Sequence, residues 1–167
     1  MTTSARTRRP VLWIIAAGLV AALVAGLYLF QPWRLFTTER VDEAVAVAPD
    51  GSQLVPIASG SFVSHEHSTS GNVELQQQPD GNAVVRIIDL RTSDGPALHV
   101  WLSDQPITGD GSNLDDGRYV DLGSLEGNEG NQNYTVPPGT DSAAFRTVVI
   151  WCERFSVSFG AAALTAR

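Results

Sequence analysis

Residues 145–155 read FRTVVIWCERF, a run in which apolar side chains occupy both alternating positions. In an extended strand, successive side chains point to opposite faces of the sheet. Ile150 and Cys152 therefore share one face, and Trp151 lies on the other. A strand that is apolar on both faces is typical of the centre of a sheet. Glu153 then marks a bulge or the rim where the strand leaves the core.

Short runs of the same β character flank this strand and are separated by SG, DG, GP, PPG and GN turn signals. No stretch after residue 31 shows helical periodicity over three turns. We therefore predict an all-β domain, an antiparallel β-sandwich or a partly closed barrel. The predicted strands are SFVSHE (61–66), NVELQQQ (72–78), NAVVRIIDL (82–90), ALHVWLS (97–103), RYVDLGSL (118–125), NYTV (133–136) and SVSFGAAAL (156–164).

The longest apolar run lies near the start of the chain. Residues 11–30 read VLWIIAAGLVAALVAGLYLF, without a charged or amide side chain. A helix needs about 20 apolar residues to cross the hydrocarbon core of a bilayer. Arg6, Arg8 and Arg9 precede the run, which predicts that this end stays in the cytoplasm. We predict a cytoplasmic segment over 1–10, a transmembrane signal-anchor helix over 11–30, and a single-pass plasma-membrane protein with an extracytoplasmic C-terminal domain.

A cleavable signal peptide is the competing interpretation of this run. The apolar region of a signal peptide is normally shorter, and no clean A-x-A cleavage site precedes the polar stretch. The segment AALVAG at 21–26 is the nearest candidate. Lipoprotein processing is excluded, because the only cysteine is Cys152, far from the run. A retained anchor therefore remains the prediction.

Charge separates the two parts of the chain. All 18 acidic residues lie after residue 38, whereas three of the 11 Arg residues precede the apolar run, so the rest carries 18 − 8, a net charge of −10. Nucleic-acid binding is excluded as a function, because phosphates require clustered cations. Residues 31–57, with AVAVAP at 44–49, are predicted as a juxtamembrane stalk that can add an edge strand. The exported β domain then occupies 58–167.

Several ordered segments carry a resemblance to a known family: SFVSHEHSTSGNVEL (61–75), GPALHVWLS (95–103), YVDLGSLEGNEGNQNYTVPPG (119–139) and VVIWCERFSVSFGAAAL (148–164). Over about residues 58–164 the chain resembles the DM-thirteen domain, a module described as electron-transfer and often associated with DOMON domains. The resemblance implies a β-sandwich with one prominent cysteine in the late WC motif, which Cys152 matches. It also implies the role suggested for that cysteine, a redox thiol or a cofactor ligand.

Three interpretations of Cys152 are open on its own chemistry. A buried cysteine behaves as a small hydrophobe, and the neighbours Ile150 and Trp151 fit that environment. Alternatively, its thiolate ligates a metal or a haem. A reactive thiol, oxidised to sulfenic acid or bridged to a partner, requires exposure and a lowered pKa, which Arg154 would favour. We predict Cys152 as a redox thiol and as a candidate cofactor ligand.

The remaining candidate ligands are histidines. The only methionine is Met1, which excludes a Met-ligated haem within this chain, and no C-x-x-C-H motif exists for covalent c-type haem. His65 and His67 lie two apart on a predicted strand, a spacing that can chelate one metal. His67, which falls in the family-like HSTSG string, is also a candidate cofactor ligand with Cys152. His99 is interpreted as a structural strand histidine, and haem or a bound metal stays open.

The chain carries no G-x-S-x-G, H-E-x-x-H or Walker motif that would indicate a hydrolase or a nucleotide-binding enzyme. The acidic string at 110–117 is interpreted as a solvated turn, and GNEGNQNY at 127–134 as a turn closing a hairpin. Two function hypotheses remain. One is a redox module in which Cys152 passes electrons to a redox or envelope partner. The other is a non-catalytic envelope binding or scaffolding domain in which Cys152 is a buried core residue.

Overall fold

The computed structural model of the chain describes residues 8–48 and 50–167. Arg6 and the rest of the predicted cytoplasmic segment up to residue 7 lie outside the described residues. The chain divides into two compact units, with the boundary between Arg34 and Leu35. An apolar helix makes up the first unit, and β-strands make up most of the second.

Helix α1 spans Arg8–Phe30 and is 23 residues long. At a rise of 1.5 Å per residue it extends about 34 Å, enough to cross a hydrocarbon core of about 30 Å. The span Pro10–Arg34 has a mean hydropathy of 2.4, and none of it is buried. Within the described part of the chain, it is the one helix that is long and apolar enough to cross a membrane. A short 3₁₀ helix, Pro32–Phe36, follows it.

The second unit contains ten strands among the described residues, with short 3₁₀ helices at Ser112–Asp115 and Ser142–Ala144. The strands are β1 (Arg40–Asp42), β2 (Val55–Ser64), β3 (Ser70–Gln77), β4 (Ala83–Arg91), β5 (Leu98–Ser103), β6 (Tyr119–Ser124), β7 (Glu129–Thr135), β8 (Thr147–Cys152), β9 (Val157–Ala163) and β10 (Thr165–Ala166).

These strands form one sheet that curls into a half-barrel, in the order β1-β7-β4-β3-β2-β9-β8-β5-β6, with β10 beside β2. The predicted all-β fold is confirmed, in its partly closed form. Neighbouring strands are antiparallel except β1, which runs parallel to β7 at one edge. As predicted from its two apolar faces, β8 lies inside the sheet, between β9 and β5.

Strand β2 joins the two halves of the sheet. Its first part, up to Ser61, pairs with β3, and its last part, from Phe62, pairs with β9. A side chain at Gly60 would overlap the carbonyl oxygen of Ala163, so only glycine lets the backbones approach this closely where β2 changes partners.

The inner face of the curled sheet holds the main hydrophobic core, which we call the inner core. The alternation predicted for β8 is confirmed, because Ile150 and Cys152 belong to this core and Trp151 does not. The core also contains Val148 of β8 and Leu98, Val100 and Leu102 of β5. The opposite face carries a smaller group, the outer cluster, which is closed by a residue of the 3₁₀ helix at Ser112–Asp115. The outer cluster consists of Trp101, Leu114, Val149, Trp151 and Ala161.

One local prediction differs from the structure. The GNEGNQNY string does not close a hairpin: most of it forms β7, which pairs with β4 and β1 rather than with β6. Its residues pair across strands or form hydrogen bonds in the interior. Gln132 is fully buried, and its Oε1 accepts a hydrogen bond of 2.7 Å from the Tyr134 hydroxyl. The stalk predicted over 31–57 does add an edge strand, β1, where Arg40 forms an ion pair with Glu129.

Candidate functional site

Cys152 is the last residue of β8 and is fully buried in the inner core. Its cross-strand partners are Leu98 on β5 and Val157 on β9. The thiol donates a hydrogen bond to the carbonyl oxygen of Pro96, with an S···O distance of 3.2 Å. The sulfur therefore occupies a packed, largely apolar site just beneath the end of the strand.

Burial raises the pKa of the Cys152 thiol above its usual value. The backbone N–H groups of Phe155 and Arg154 and the positive charge of Arg154 lower the pKa, but their effect is smaller than that of desolvation. Cys152 is therefore a protonated thiol in this conformation. Donors that would stabilise a thiolate are nevertheless already placed around the sulfur.

Two short segments lie over the end of β8. One is the turn at 153–156, which we call the Cys152 turn, and the other contains Pro96 and Ala97. They are joined by a hydrogen bond of 3.0 Å from the N–H of Glu153 to the carbonyl of Ala97. Ala97 and Ser156 have left-handed backbone conformations, with φ of 61° and 51°. Such conformations cost a residue other than glycine about 1–2 kcal/mol each, so both covering segments are held under strain.

His65 and His67 do not lie on a strand, because β2 ends at Ser64 and the chain bends over 65–67. The Nδ1 atom of His65 lies 2.7 Å from the Ser158 hydroxyl, and its Nε2 atom is buried without a partner in the described part of the chain. Burial lowers the pKa of His65, and the charge of Asp110 opposes that shift. The prediction that both histidines lie on a strand was therefore wrong, and the metal role of the pair stays a prediction.

His67 stacks on the ring of Phe159, with centroids 3.8 Å apart. The edge of the same ring lies against Gly95, just before the segment that covers Cys152, because a Cβ at Gly95 would come within 2.9 Å of it. Phe159 thus contacts His67 and lies against the residue that precedes Pro96 and Ala97. The sulfur is enclosed by core side chains and the Pro96 carbonyl, so this conformation does not fit a haem at Cys152. The pairing of His67 with Cys152 around a cofactor stays a prediction.

A cluster that the sequence did not predict lies on the outer face. His99 of β5, Asp121 of β6 and Glu153 after β8 offer ligating atoms that all lie within 4.8 Å of one another; we call this the His99 cluster. A bulge in β6 explains the convergence. His99 pairs with Ser124, whereas Trp101 pairs with Asp121, so β6 has an extra residue at this point.

Next to this cluster, three aromatic rings form a stack. Trp101 lies between Tyr119, at a centroid distance of 4.1 Å, and Trp151, at 4.8 Å. A pocket of about 290 Å³ is lined by these three residues together with Asp115, Glu153 and Ser156. Glu153 therefore belongs both to the pocket and to the His99 cluster.

The sequence of the β unit matches a known protein family. A family model described as "Electron transfer DM13" matches residues 61–164. The chain belongs to the DM13 family. No curated protein and no solved structure matches the chain. The DM13 match runs from the last part of β2 to the end of β9 and includes Cys152, the predicted histidines and the His99 cluster. It leaves out α1 and β1, so the family assignment concerns the β unit.

Proposed function

We propose that this protein is a membrane-anchored DM13 module that transfers electrons outside the cytoplasm, with the Cys152 thiol as its redox group. The observation that carries the proposal is the match of residues 61–164 to an electron-transfer family, because the matched segment contains the only sulfur atom of the β unit.

The anchoring part of the proposal rests on α1. Its large apolar side chains from Val11 to Phe30 are exposed, and the run matches the length of a membrane crossing. The three Arg residues near the start of the chain favour a cytoplasmic amino terminus, and the acidic β unit follows the helix. This topology places the DM13 domain on the extracytoplasmic side.

The redox part of the proposal requires movement of the Cys152 turn. While the turn is closed, burial keeps the sulfur protonated, and a thiol is a poor nucleophile. Opening would admit water and remove the desolvation that raises the pKa of the thiol. In oxidation by a hydroperoxide, the thiolate bonds to one peroxide oxygen and the O–O bond breaks. The other oxygen leaves with a proton as water or an alcohol, and Cys152 becomes a sulfenic acid that a partner thiol can reduce.

Sulfenic-acid trapping tests the redox role. The full chain in detergent micelles is treated with hydrogen peroxide and a cyclic 1,3-dione, and the labelled residue is identified by mass spectrometry. We expect labelling at Cys152 in the folded protein and none in Cys152→Ala. A urea-unfolded sample shows the largest signal attainable. A folded protein that stays unlabelled at peroxide concentrations that label the unfolded chain would contradict the redox role.

A reporter fusion tests the topology separately. Alkaline phosphatase, which is active only after export, is joined after Arg167 and expressed in bacteria. We expect activity in cells, with the fusion in the membrane fraction. A cytosolic, inactive fusion would refute the proposed topology without bearing on the thiol.

The second candidate function is a non-catalytic envelope binding or scaffolding domain. The complete burial of Cys152 is the observation that favours it. In that case the sulfur acts only as a packed side chain, and binding would involve the surface of the β unit. A thiol that is inert to peroxide until the protein unfolds would favour this function over the first.

A further inference from the structure

We infer that His99 and Glu153 form a binding site for a divalent first-row transition-metal ion such as Zn²⁺, and that Asp121 orients His99 for it. The site lies on the outer face of the sheet, and the inference does not depend on the redox role of Cys152. It rests on the geometry around the two nitrogen atoms of one imidazole ring.

The Nδ1 side of His99 is held by Asp121. Nδ1 lies 2.9 Å and 3.1 Å from the two carboxylate oxygens. Asp121 is fixed in turn by the N–H of Gly123, which donates to Oδ1 at 2.8 Å. Gly123 has a left-handed φ of 114° within the bulge, a conformation that glycine adopts readily. A carboxylate that accepts the Nδ1–H of a histidine sets the ring orientation and leaves Nε2 as the metal-binding atom.

The Nε2 side of His99 faces a second carboxylate. Nε2 lies 3.6 Å from Oε2 of Glu153 and 3.5 Å from the Ser124 hydroxyl. The Ser124 hydroxyl can donate to the Nε2 lone pair in the absence of an ion. A metal ion bound to Nε2 would replace that contact and would lie between the ring and the Glu153 carboxylate.

The distance between Nε2 and Glu153 suits one bridging ion. Zinc bonds of about 2.0–2.2 Å to nitrogen and oxygen would place the two ligands at an angle of about 115–130°, somewhat wider than tetrahedral. One imidazole nitrogen and carboxylate oxygens favour Zn²⁺, Cu²⁺ or Ni²⁺ over Ca²⁺ or Mg²⁺, which prefer all-oxygen sites.

The site is accessible to an ion from solution. The side chains of His99, Asp121 and Glu153 are 19%, 38% and 46% exposed, respectively. Water can therefore complete the coordination of a bound ion. The neighbouring Trp151, the cross-strand partner of His99, also provides a fluorescent reporter next to the site.

Metal titration of the full chain in detergent micelles, after removal of metal with a chelator, tests the inference. Calorimetry measures Zn²⁺ affinity, and electron paramagnetic resonance of the Cu²⁺ form counts imidazole nitrogens. We expect one ion per chain with a Kd below about 1 mM, a single imidazole ligand, and quenching of tryptophan fluorescence by Cu²⁺. His99→Ala should abolish binding. Asp121→Asn should weaken binding by about 10–100-fold, because Asp121 affects the affinity by holding the His99 ring in position.

Matched variants separate this site from the alternatives. Glu153→Gln removes a ligand charge at an exposed position that the fold tolerates, so it gives a result even if His99→Ala does not fold. It should weaken Zn²⁺ binding at least tenfold, on the scale of lost outer-shell ligands. Asp115→Asn, which changes a carboxylate outside the His99 cluster, should bind like the unchanged protein. The inference is overturned if the unchanged protein does not bind Zn²⁺, if Glu153→Gln and His99→Ala bind normally, or if His67→Ala is the variant that loses the ion.

Discussion

Cys152 and His99 lie on neighbouring strands, one residue apart in register, yet in opposite environments. Leu98 of β5 pairs with Cys152, and His99 pairs with Trp151. One position along the paired strands, the environment changes from that of a buried thiol in the inner core to that of an imidazole between two solvent-accessible carboxylates. The difference shows that the face of a strand decides what a reactive side chain can do. Chemistry on the inner face depends on opening of the fold, whereas chemistry on the outer face is available at all times.

The largest expected effect is on thiol reactivity. We expect an aromatic disulfide reagent to modify Cys152 in the folded protein about 10²–10³-fold more slowly than in the urea-unfolded chain, because the Cys152 turn must first open. Local opening exposes little surface, so low urea concentrations should change this rate only slightly.

A variant whose only thiol lies on the outer face is the matched control for this reactivity measurement. In the double variant Asp121→Cys, Cys152→Ala, the new thiol should react at close to the rate of an unfolded chain. Equal protection of the two thiols would remove the contrast between the faces, and would show that features other than burial set their reactivity.

The next largest effect concerns packing. Ile150→Ala creates a cavity in the inner core and should lower the free energy of unfolding by about 2–5 kcal/mol. Glu153→Gln, three residues along the chain but on the exposed side, should change it by no more than about 0.5 kcal/mol. Urea unfolding followed by circular dichroism measures both, and similar losses in the two variants would contradict the assignment of the faces.

Alkaline pH should lower the free energy of unfolding through the titration of side chains buried in the inner core. Burial raises the pKa of Cys152, so the folded state keeps the thiol proton to higher pH than the unfolded state does. This contribution is fully present below the unfolded thiol pKa of about 8.5, and it is lost as pH rises toward the folded pKa, at up to about 1.4 kcal/mol per pH unit. Burial also raises the pKa of Tyr134, which adds a loss of the same sign.

Cys152→Ala should flatten the curve of unfolding free energy against pH between about 8.5 and 10, and the part due to Tyr134 should remain. Urea unfolding at a series of pH values measures this directly. An unchanged slope in the variant would show that the thiol does not contribute.

The smallest effect concerns the contact between His99 and Asp121 on the outer face. Without metal, Asp121→Asn should lower the free energy of unfolding by only about 0.2–1 kcal/mol, because a partly exposed pair gains little in water. With excess Zn²⁺, the unchanged protein should gain in Tm while His99→Ala gains nothing, because an ion that binds only the folded state stabilises it. Thermal unfolding followed by circular dichroism measures both changes. A large loss in the metal-free variant would show instead that the pair has a structural role.

Much of the fold was predictable because period-2 alternation and turn residues are local signals. The assignment of Ile150 and Cys152 to one face of β8, and of Trp151 to the other, follows directly from strand geometry. The same rule accounts for His99 and Trp101 on the outer face of β5. The short strand β1 lies within the predicted stalk, but its parallel pairing with β7 was not predictable, because it joins residues about 90 positions apart.

The candidate site was less predictable, because it depends on which strands become neighbours. No sequence spacing connects His99, Asp121 and Glu153, which meet only through the order β8-β5-β6 and the bulge in β6. The extended conformation predicted for His65 and His67 failed because the chain bends directly after Ser64. Burial of Cys152 was one of the open alternatives, but the Pro96 hydrogen bond arises from long-range packing.

Strand β2 has a consequence for cooperativity. Because its first part is hydrogen-bonded into one half of the sheet and its last part into the other, neither half can detach without disrupting the strand that completes its neighbour. The β unit should therefore melt in a single sigmoidal transition, with the same midpoint for backbone and tryptophan signals. A residue larger than glycine at position 60 would therefore uncouple two halves of the sheet that otherwise fold together.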